Sequence, residues 1–198
     1  MRTDAYGCLA GIGLAMDAVI LSGLPASGKT SVARLLSRRL RVGMLGGGEV
    51  LRKIASDAGY TPGGAGWWDS DEGMRFLGER ENDQRFDREA DRRMLERIKK
   101  GRVVMTSYTM PWLSKKGFKV WLDASKSVRA TRMARRDGIS AKLARRIIGE
   151  RDAMNYRLYR RLYGIKLGRD KKPFDVIINT SGMTAGQVAS DILKRIKE

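Results

Sequence analysis

No histidine occurs anywhere in the 198 residues. That excludes an imidazole general base, a Ser-His-Asp triad and any histidine metal ligand, so the chemistry must rest on Lys, Arg, Asp, Glu and hydroxyl groups. Cysteine occurs once, at Cys8. One thiol cannot close an intrachain disulfide, which fits a cytoplasmic protein. No run approaches the roughly 18 apolar residues of a membrane-spanning helix, so no membrane partner is expected. Neither an internal repeat nor a low-complexity segment is present. Acids are few beside bases: 22 Asp and Glu against 40 Lys and Arg, a net charge of +18.

That surplus is uneven. Lys126 to Lys172 holds 16 Lys and Arg against the four acids Asp137, Glu150, Asp152 and Asp170, a net +12. Such a patch reads as a surface for a polyphosphate or a nucleic acid. The alternative is a solvated basic face.

The chain is organised around Gly23-Leu24-Pro25-Ala26-Ser27-Gly28-Lys29-Thr30, which fits the phosphate-binding loop G-x-x-x-x-G-K-[ST]. Glycines free the loop of side-chain bulk, so backbone N–H groups can turn inward around phosphates. Lys29 puts a cation on the β- and γ-phosphates, and Thr30 offers a hydroxyl to Mg²⁺. The context is right. Ala18-Val19-Ile20-Leu21 reads as a buried parallel strand, and Val32, Leu35, Leu36 and Leu40 recur at helical spacing after the loop. A helix so placed aims its positive end at the same anion.

Residues 17–198 read as one domain, with Met16 the true start or 1–16 a poorly ordered N-terminal tail; as a signal peptide the stretch is weak. Strands are expected at 42–45, 103–105, 119–122 and 174–178, and helices at 72–81, 85–100, 126–136 and 140–163. The 42–45 strand ends in Gly46-Gly47-Gly48, and a helix with Val50, Leu51, Ile54 and Ala55 inward follows, carrying Arg52 about one turn in. Asp87 and Asp91 lie one turn apart beside the apolar face of the 85–100 helix. Trp67 and Trp68, in a loop, suit either base stacking or covering a core. Ser107, Tyr108 and Asp123 fall at strand carboxyl ends, where open parallel sheets bind ligands. In the 140–163 helix the stripe Leu143, Ile147, Met154, Leu158 and Leu162 has Arg151 in its middle slot. An inward arginine needs an anion, either a ligand phosphate or a protein carboxylate.

Together these describe an α/β phosphotransferase: a parallel five-stranded sheet flanked by helices, with an Arg-rich lid. A monophosphate acceptor already carries a nucleophilic oxygen, so the missing histidine is no obstacle. Arg132 and Arg136, one turn apart, can face one phosphate cluster, and closing over it excludes water.

The ordered set of Ser22 to Thr30, Gly48 to Lys53, Phe86 to Arg93, Val120 to Ala124, Glu150-Arg151-Asp152, Tyr163-Gly164-Ile165 and Val176 to Thr180 resembles archaeal-type cytidylate kinases, of the nucleoside-monophosphate kinase family. The resemblance runs from about Asp17 to Glu198. It implies transfer of the γ-phosphoryl of ATP, with Mg²⁺, to CMP or dCMP. It also implies ATP phosphates on Gly23, Leu24, Pro25, Ala26, Ser27, Gly28, Lys29, Thr30 and Ser31, and the monophosphate on Arg52. Arg132, Arg136 and Arg151 belong to a lid at about 132–152, facing an acceptor-binding part at about 46–100. A monomer is expected. One stretch departs from the family. Where it usually reads Glu-Gly-Arg after the third strand, this chain reads Thr106-Ser107-Tyr108-Thr109-Met110-Pro111-Trp112. Tyr108 and Trp68 are the candidates to take over base recognition by stacking.

Two other readings stand beside this one: another small-molecule P-loop kinase, such as an adenylate-type one, and a basic nucleic-acid-binding P-loop protein. A phosphate-binding role predicts Arg132, Arg136 and Arg151 converging on the P-loop. A nucleic-acid role predicts an outward stripe of Arg145, Arg146, Arg157 and Arg161.

Overall fold

A computed structural model describes residues 18–197; the tail at 1–16 lies outside the described residues. The apolar run Ala18–Ser22 is the central strand β1, with all five residues buried. It pairs on one side with β3 (Val103–Thr106) and on the other with β4 (Phe118–Asp123). β2 (Gly43–Gly46) and β5 (Val176–Asn179) add outside these, giving the parallel order β2-β3-β1-β4-β5.

The sheet is covered on both faces, which explains why β1 is apolar at every position rather than alternating. Val19 and Leu21 pack against α1 (Lys29–Leu40) and α8 (Ala185–Arg195), through Val32, Ala33, Leu36, Val188 and Ile192. Ala18 and Ile20 point the other way, into Val50, Ile54, Ala90, Met94 and Ile98 of α2 (Gly47–Asp57) and α4 (Arg85–Lys99). The chain leaves β1 toward β2 and later crosses to β4, so the carboxyl ends of β1 and β3 border a crevice of the kind where open sheets bind ligands.

The expected strands and helices are present, with local differences. β2 ends at Gly46 and α2 starts at once at Gly47, so Gly47 and Gly48 belong to the helix. A Cβ on Gly47 would lie 3.2 Å from the Thr106 carbonyl, so glycine lets α2 close on β3. Trp67-Trp68-Asp69 forms part of a 3₁₀ turn, Ala65–Asp69, ahead of α3 (Asp71–Asn82). The Ser70 hydroxyl caps α3 by accepting from the Gly73 amide. The stretch after β3 contains a short helix not expected from periodicity, α5 (Met110–Leu113), with Pro111 in its first turn.

The basic pair is an antiparallel hairpin of α6 (Lys126–Asp137) and α7 (Ala141–Tyr163). Gly138, at φ 66°, ends α6, and the Ser140 hydroxyl starts α7 by accepting from Leu143 N. The stripe on α7 needs correction. Its buried residues are Ala144, Ile147, Ile148, Asp152, Asn155, Leu158, Tyr159 and Leu162, and Met154 is only half-buried. The slot given to Arg151 is taken by Asp152. The reason is that α7 has two packing partners. Its first half meets α6 through Ala144, Ile147 and Ile148, and its second half meets Trp121 of β4 through Leu158, Tyr159 and Leu162. One straight stripe cannot describe both.

Candidate active site

A cavity of about 700 Å³ opens at the carboxyl ends of β1, β2 and β3. Seven cationic side chains and three carboxylates line it. The P-loop is its floor. Gly23 has φ 148°, and a Cβ there would lie 2.4 Å from the Leu122 carbonyl, so only glycine fits. Gly28, at φ 100°, turns the chain into α1. Pro25, Ala26, Ser27, Gly28, Lys29, Thr30 and Ser31 line the cavity; Gly23 and Leu24 do not. Those two turn their carbonyls to the Lys29 ammonium, which donates to them at 2.7 and 3.0 Å. Lys29 also lies 4.9 Å above the Tyr108 ring. Burial lowers its pKa to about 7, with Arg151 and Arg129 adding repulsion and Asp152 opposing them.

The three arginines expected at the P-loop do line this cavity, and Arg52 lines it too. Arg132 donates to the Thr180 carbonyl at 2.5 Å, to the Thr180 hydroxyl at 3.0 Å and to the Ser27 carbonyl at 3.3 Å, tying α6 to the loop. Arg136 is paired with Asp69 and Asp137. Arg151 is paired with Asp69, while its Nε is buried with no partner among the described residues. So of the two anions open to Arg151 the structure shows a protein carboxylate, and one donor is left over. Arg52 has no hydrogen-bond or ion-pair partner among the described residues.

The Trp67-Trp68 pair divides between its two readings. Trp67 is buried with Ala55 and Phe76, its indole donating to Glu72 at 2.6 Å. Trp68 lies over Gly48 and lines the cavity. Tyr108 lines it as well; Asp123 does not, and is exposed.

Arg80 was not singled out from the sequence, and Asp87 and Asp91 were placed only beside the apolar face of their helix; all three line the cavity. Arg80, on α3, is buried and makes two hydrogen bonds to Asp87, at 2.6 and 2.9 Å, and one to Tyr159 at 3.1 Å. Its signal was there: it follows Phe76 and Leu77 on an inward stripe, as Arg151 seemed to. Asp91 accepts from the Thr109 hydroxyl at 2.6 Å and the Tyr163 hydroxyl at 2.7 Å. Burial raises its pKa to about 6, although both hydrogen bonds pull the other way. Beneath the P-loop, Arg129 and Asp152 form a buried pair, and Arg129 also donates to the Pro25 carbonyl at 3.3 Å. No spacing rule links positions 129 and 152.

A metal fits here only in partnership with phosphate. Among the described residues no group of three or more acidic or thiol side chains could hold a cation alone. Mg²⁺ needs only one or two protein oxygens when phosphates supply others, and the Thr30 hydroxyl, exposed at the start of α1, is one.

A model of the cytidylate kinase-like family matches residues 18–182. The chain belongs to the cytidylate kinase-like family. Its relatives include cytidylate kinases from Pyrobaculum arsenaticum, 34% identical over 84% of this chain and 85% of that one, and from Thermococcus kodakarensis, 35% identical over 82% and 79%. The cytidylate kinase of Ignicoccus hospitalis is 31% identical over 91% of this chain and 99% of its own. Among solved structures, shikimate kinase from Acinetobacter baumannii superposes with a TM-score of 0.57 at 19% identity, covering 92% of this chain and 94% of that one. That likeness concerns fold alone. Membership of the cytidylate kinase-like family makes the chain a kinase with ATP as co-substrate. No helix among the described residues is long and apolar enough to cross a membrane.

Proposed function

We propose that this protein transfers the γ-phosphoryl of ATP to CMP or dCMP, giving ADP and CDP or dCDP, as a monomer. The observation that carries the reading is the convergence of the P-loop, Arg52, Arg132, Arg136 and Arg151 on one cavity, in a chain whose curated relatives are cytidylate kinases. The helices from 46 to 100 form the acceptor side, and residues 132–152 the lid.

The P-loop amides and Lys29 hold the ATP phosphates. As the polyphosphate enters, Lys29 exchanges the Gly23 and Leu24 carbonyls for phosphate oxygens, and their negative charge restores its proton affinity. Arg52 takes the acceptor phosphate, which supports a short path between donor and acceptor. Arg132, Arg136 and Arg151 neutralise charge on the group in flight, and closure over them excludes water. The acceptor oxygen is already anionic, so no protein base is needed. Mg²⁺, held by Thr30 and the phosphates, supplies further charge neutralisation when bound. Trp68 and Tyr108, aromatic faces on the cavity wall, bind the base by stacking.

The test is a coupled ATP-consumption assay with Mg²⁺ against CMP, dCMP, UMP, AMP, GMP and a short 5′-hydroxyl RNA. Turnover confined to CMP and dCMP is expected. Preference for another monophosphate would keep the reaction class and change the acceptor. Turnover on RNA alone would overturn the reading. Arg145, Arg146, Arg157 and Arg161 are exposed as a nucleic-acid surface requires, but Arg157 and Arg161 are both engaged with Glu81.

A further inference from the structure

Asp69 stands at the end of the 3₁₀ turn, on the acceptor side of the cavity. Its carboxylate is 6% exposed and bridges two arginines of the lid hairpin. Arg136 Nη2 donates to one oxygen at 2.6 Å, and Arg151 Nη1 donates to the other. These partners lie 67 and 82 residues away in the chain.

The turn that carries Asp69 is firmly seated. Trp67 is buried and bonded to Glu72, and the Ser70 hydroxyl donates to the Trp67 carbonyl at 2.7 Å. A Cβ on Gly73 would lie 1.9 Å from that same carbonyl, so α3 and the turn approach as closely as backbones can. Trp68 packs over Gly48 of α2. Asp69 is therefore an anchored carboxylate, not a side chain on a loose loop.

Asp69 does not line the main cavity, although both its arginines do. It faces a second, smaller space behind them, with Gly66, Ser70 and Asp137. It therefore does not stand where a phosphate would sit. Each guanidinium keeps donors that Asp69 does not use, including the buried, unpartnered Arg151 Nε. The Arg136 and Arg151 guanidinium groups, brought together on one carboxylate, repel one another, and Arg151 also depresses Lys29. A carboxylate behind the arginines offsets that repulsion and keeps both facing forward.

We propose that Asp69 is a positioning residue for phosphoryl transfer, its carboxylate holding Arg136 and Arg151 side by side at the cavity from the acceptor-side helices. The inference rests on the reading of this cavity as a monophosphate kinase site. It makes lid arginine placement depend on the Trp67-Trp68-Asp69 turn, where the acceptor-facing Trp68 also resides. Because the arginines act on the group in flight, the effect of Asp69 falls on kcat.

The experiment uses the full chain with Asp69→Asn, Asp69→Ala, Asp69→Glu, Arg151→Met and the Asp69→Asn/Arg151→Met double variant. Initial rates are measured with ATP and CMP, and melting temperatures are read in parallel. Asp69→Asn, nearly isosteric, keeps the fold in play if the alanine variant fails. We expect kcat in Asp69→Asn to fall at least about tenfold, with KM for ATP and CMP within about threefold. Asp69→Glu recovers part of the loss. Losses in the double variant are less than multiplicative, because Asp69 acts partly through Arg151 and partly through Arg136. An unchanged kcat with only a lowered melting temperature would overturn the proposal. So would a raised kcat, a loss confined to KM, or losses that multiply in the double variant. A wild-type protein inactive on every monophosphate would instead sink the kinase reading, and this proposal with it.

Discussion

Arg80 and Asp87 meet as a two-pronged ion pair with both side chains 3% exposed, one near the end of α3 and the other in the first turn of α4. Tyr159 of α7 joins them, so three helices share one polar knot on the cavity wall. Burial opposes the charge on Arg80, but Asp87 outweighs it and holds the guanidinium pKa above its ordinary value.

Removing one member of such a pair leaves the other charged and dry. Arg80→Met is therefore expected to cost about 3–5 kcal/mol of stability, measured by urea unfolding. Adding Asp87→Asn to it restores part of the loss, because the stranded carboxylate is gone. If the double variant is less stable than Arg80→Met, the pair is not the source of the cost.

Burial, with two arginines adding repulsion, lowers the Lys29 pKa to about 7. Phosphate reverses that, so ATP binding at pH 8 takes up a proton, up to about one per site. At pH 6 the amine is already protonated and uptake vanishes. Calorimetry in two buffers of different ionisation enthalpy reads this directly, and equal uptake at both pH values would contradict it. Lys29→Met removes the uptake and lowers turnover at least about 100-fold, the scale of a lost transition-state cation.

Asp91 binds its proton more tightly in the folded state, at about 6, than the ordinary carboxyl value of 3.8. Its contribution to stability is thus intact below about pH 4 and is lost as pH rises through 6. Asp91→Asn removes that pH dependence while its amide can still meet Thr109 and Tyr163. The variant should gain on the wild type between pH 4 and pH 8, by roughly 2–3 kcal/mol. Melting curves across that range decide it, and a constant difference would count against the buried carboxyl.

Arg52 lines the cavity with no protein partner among the described residues, so an acceptor phosphate is its natural counter-ion. Arg52→Met is expected to raise KM for the monophosphate about 10- to 100-fold, the range of one charge-assisted hydrogen bond. KM for ATP stays within about twofold. An equal rise in both constants would place Arg52 on the donor instead.

The P-loop and the order of strands and helices along the chain were legible because each depends on residues close in sequence. A glycine-rich turn between a strand and a helix is a local pattern, and burial on both sides makes β1 apolar throughout. Arg132, Arg136 and Arg151 could be named because one basic hairpin carries them. Asp123 was misjudged for a simple reason: the end of a strand specifies height in the sheet, not which way the side chain turns.

By itself the amino-acid order determined the elements, the phosphate-binding loop and the cation supply. Periodicity and backbone sterics act over a few residues and are written into any short stretch. Only the tertiary structure decided which charges meet. Asp69 with Arg136 and Arg151, Arg80 with Asp87 and Tyr159, Arg129 with Asp152 and Asp91 with Thr109 and Tyr163 all join separate elements. A buried charge is tolerated only beside a partner, and the partner is chosen by how helices dock on the sheet, which no local pattern encodes.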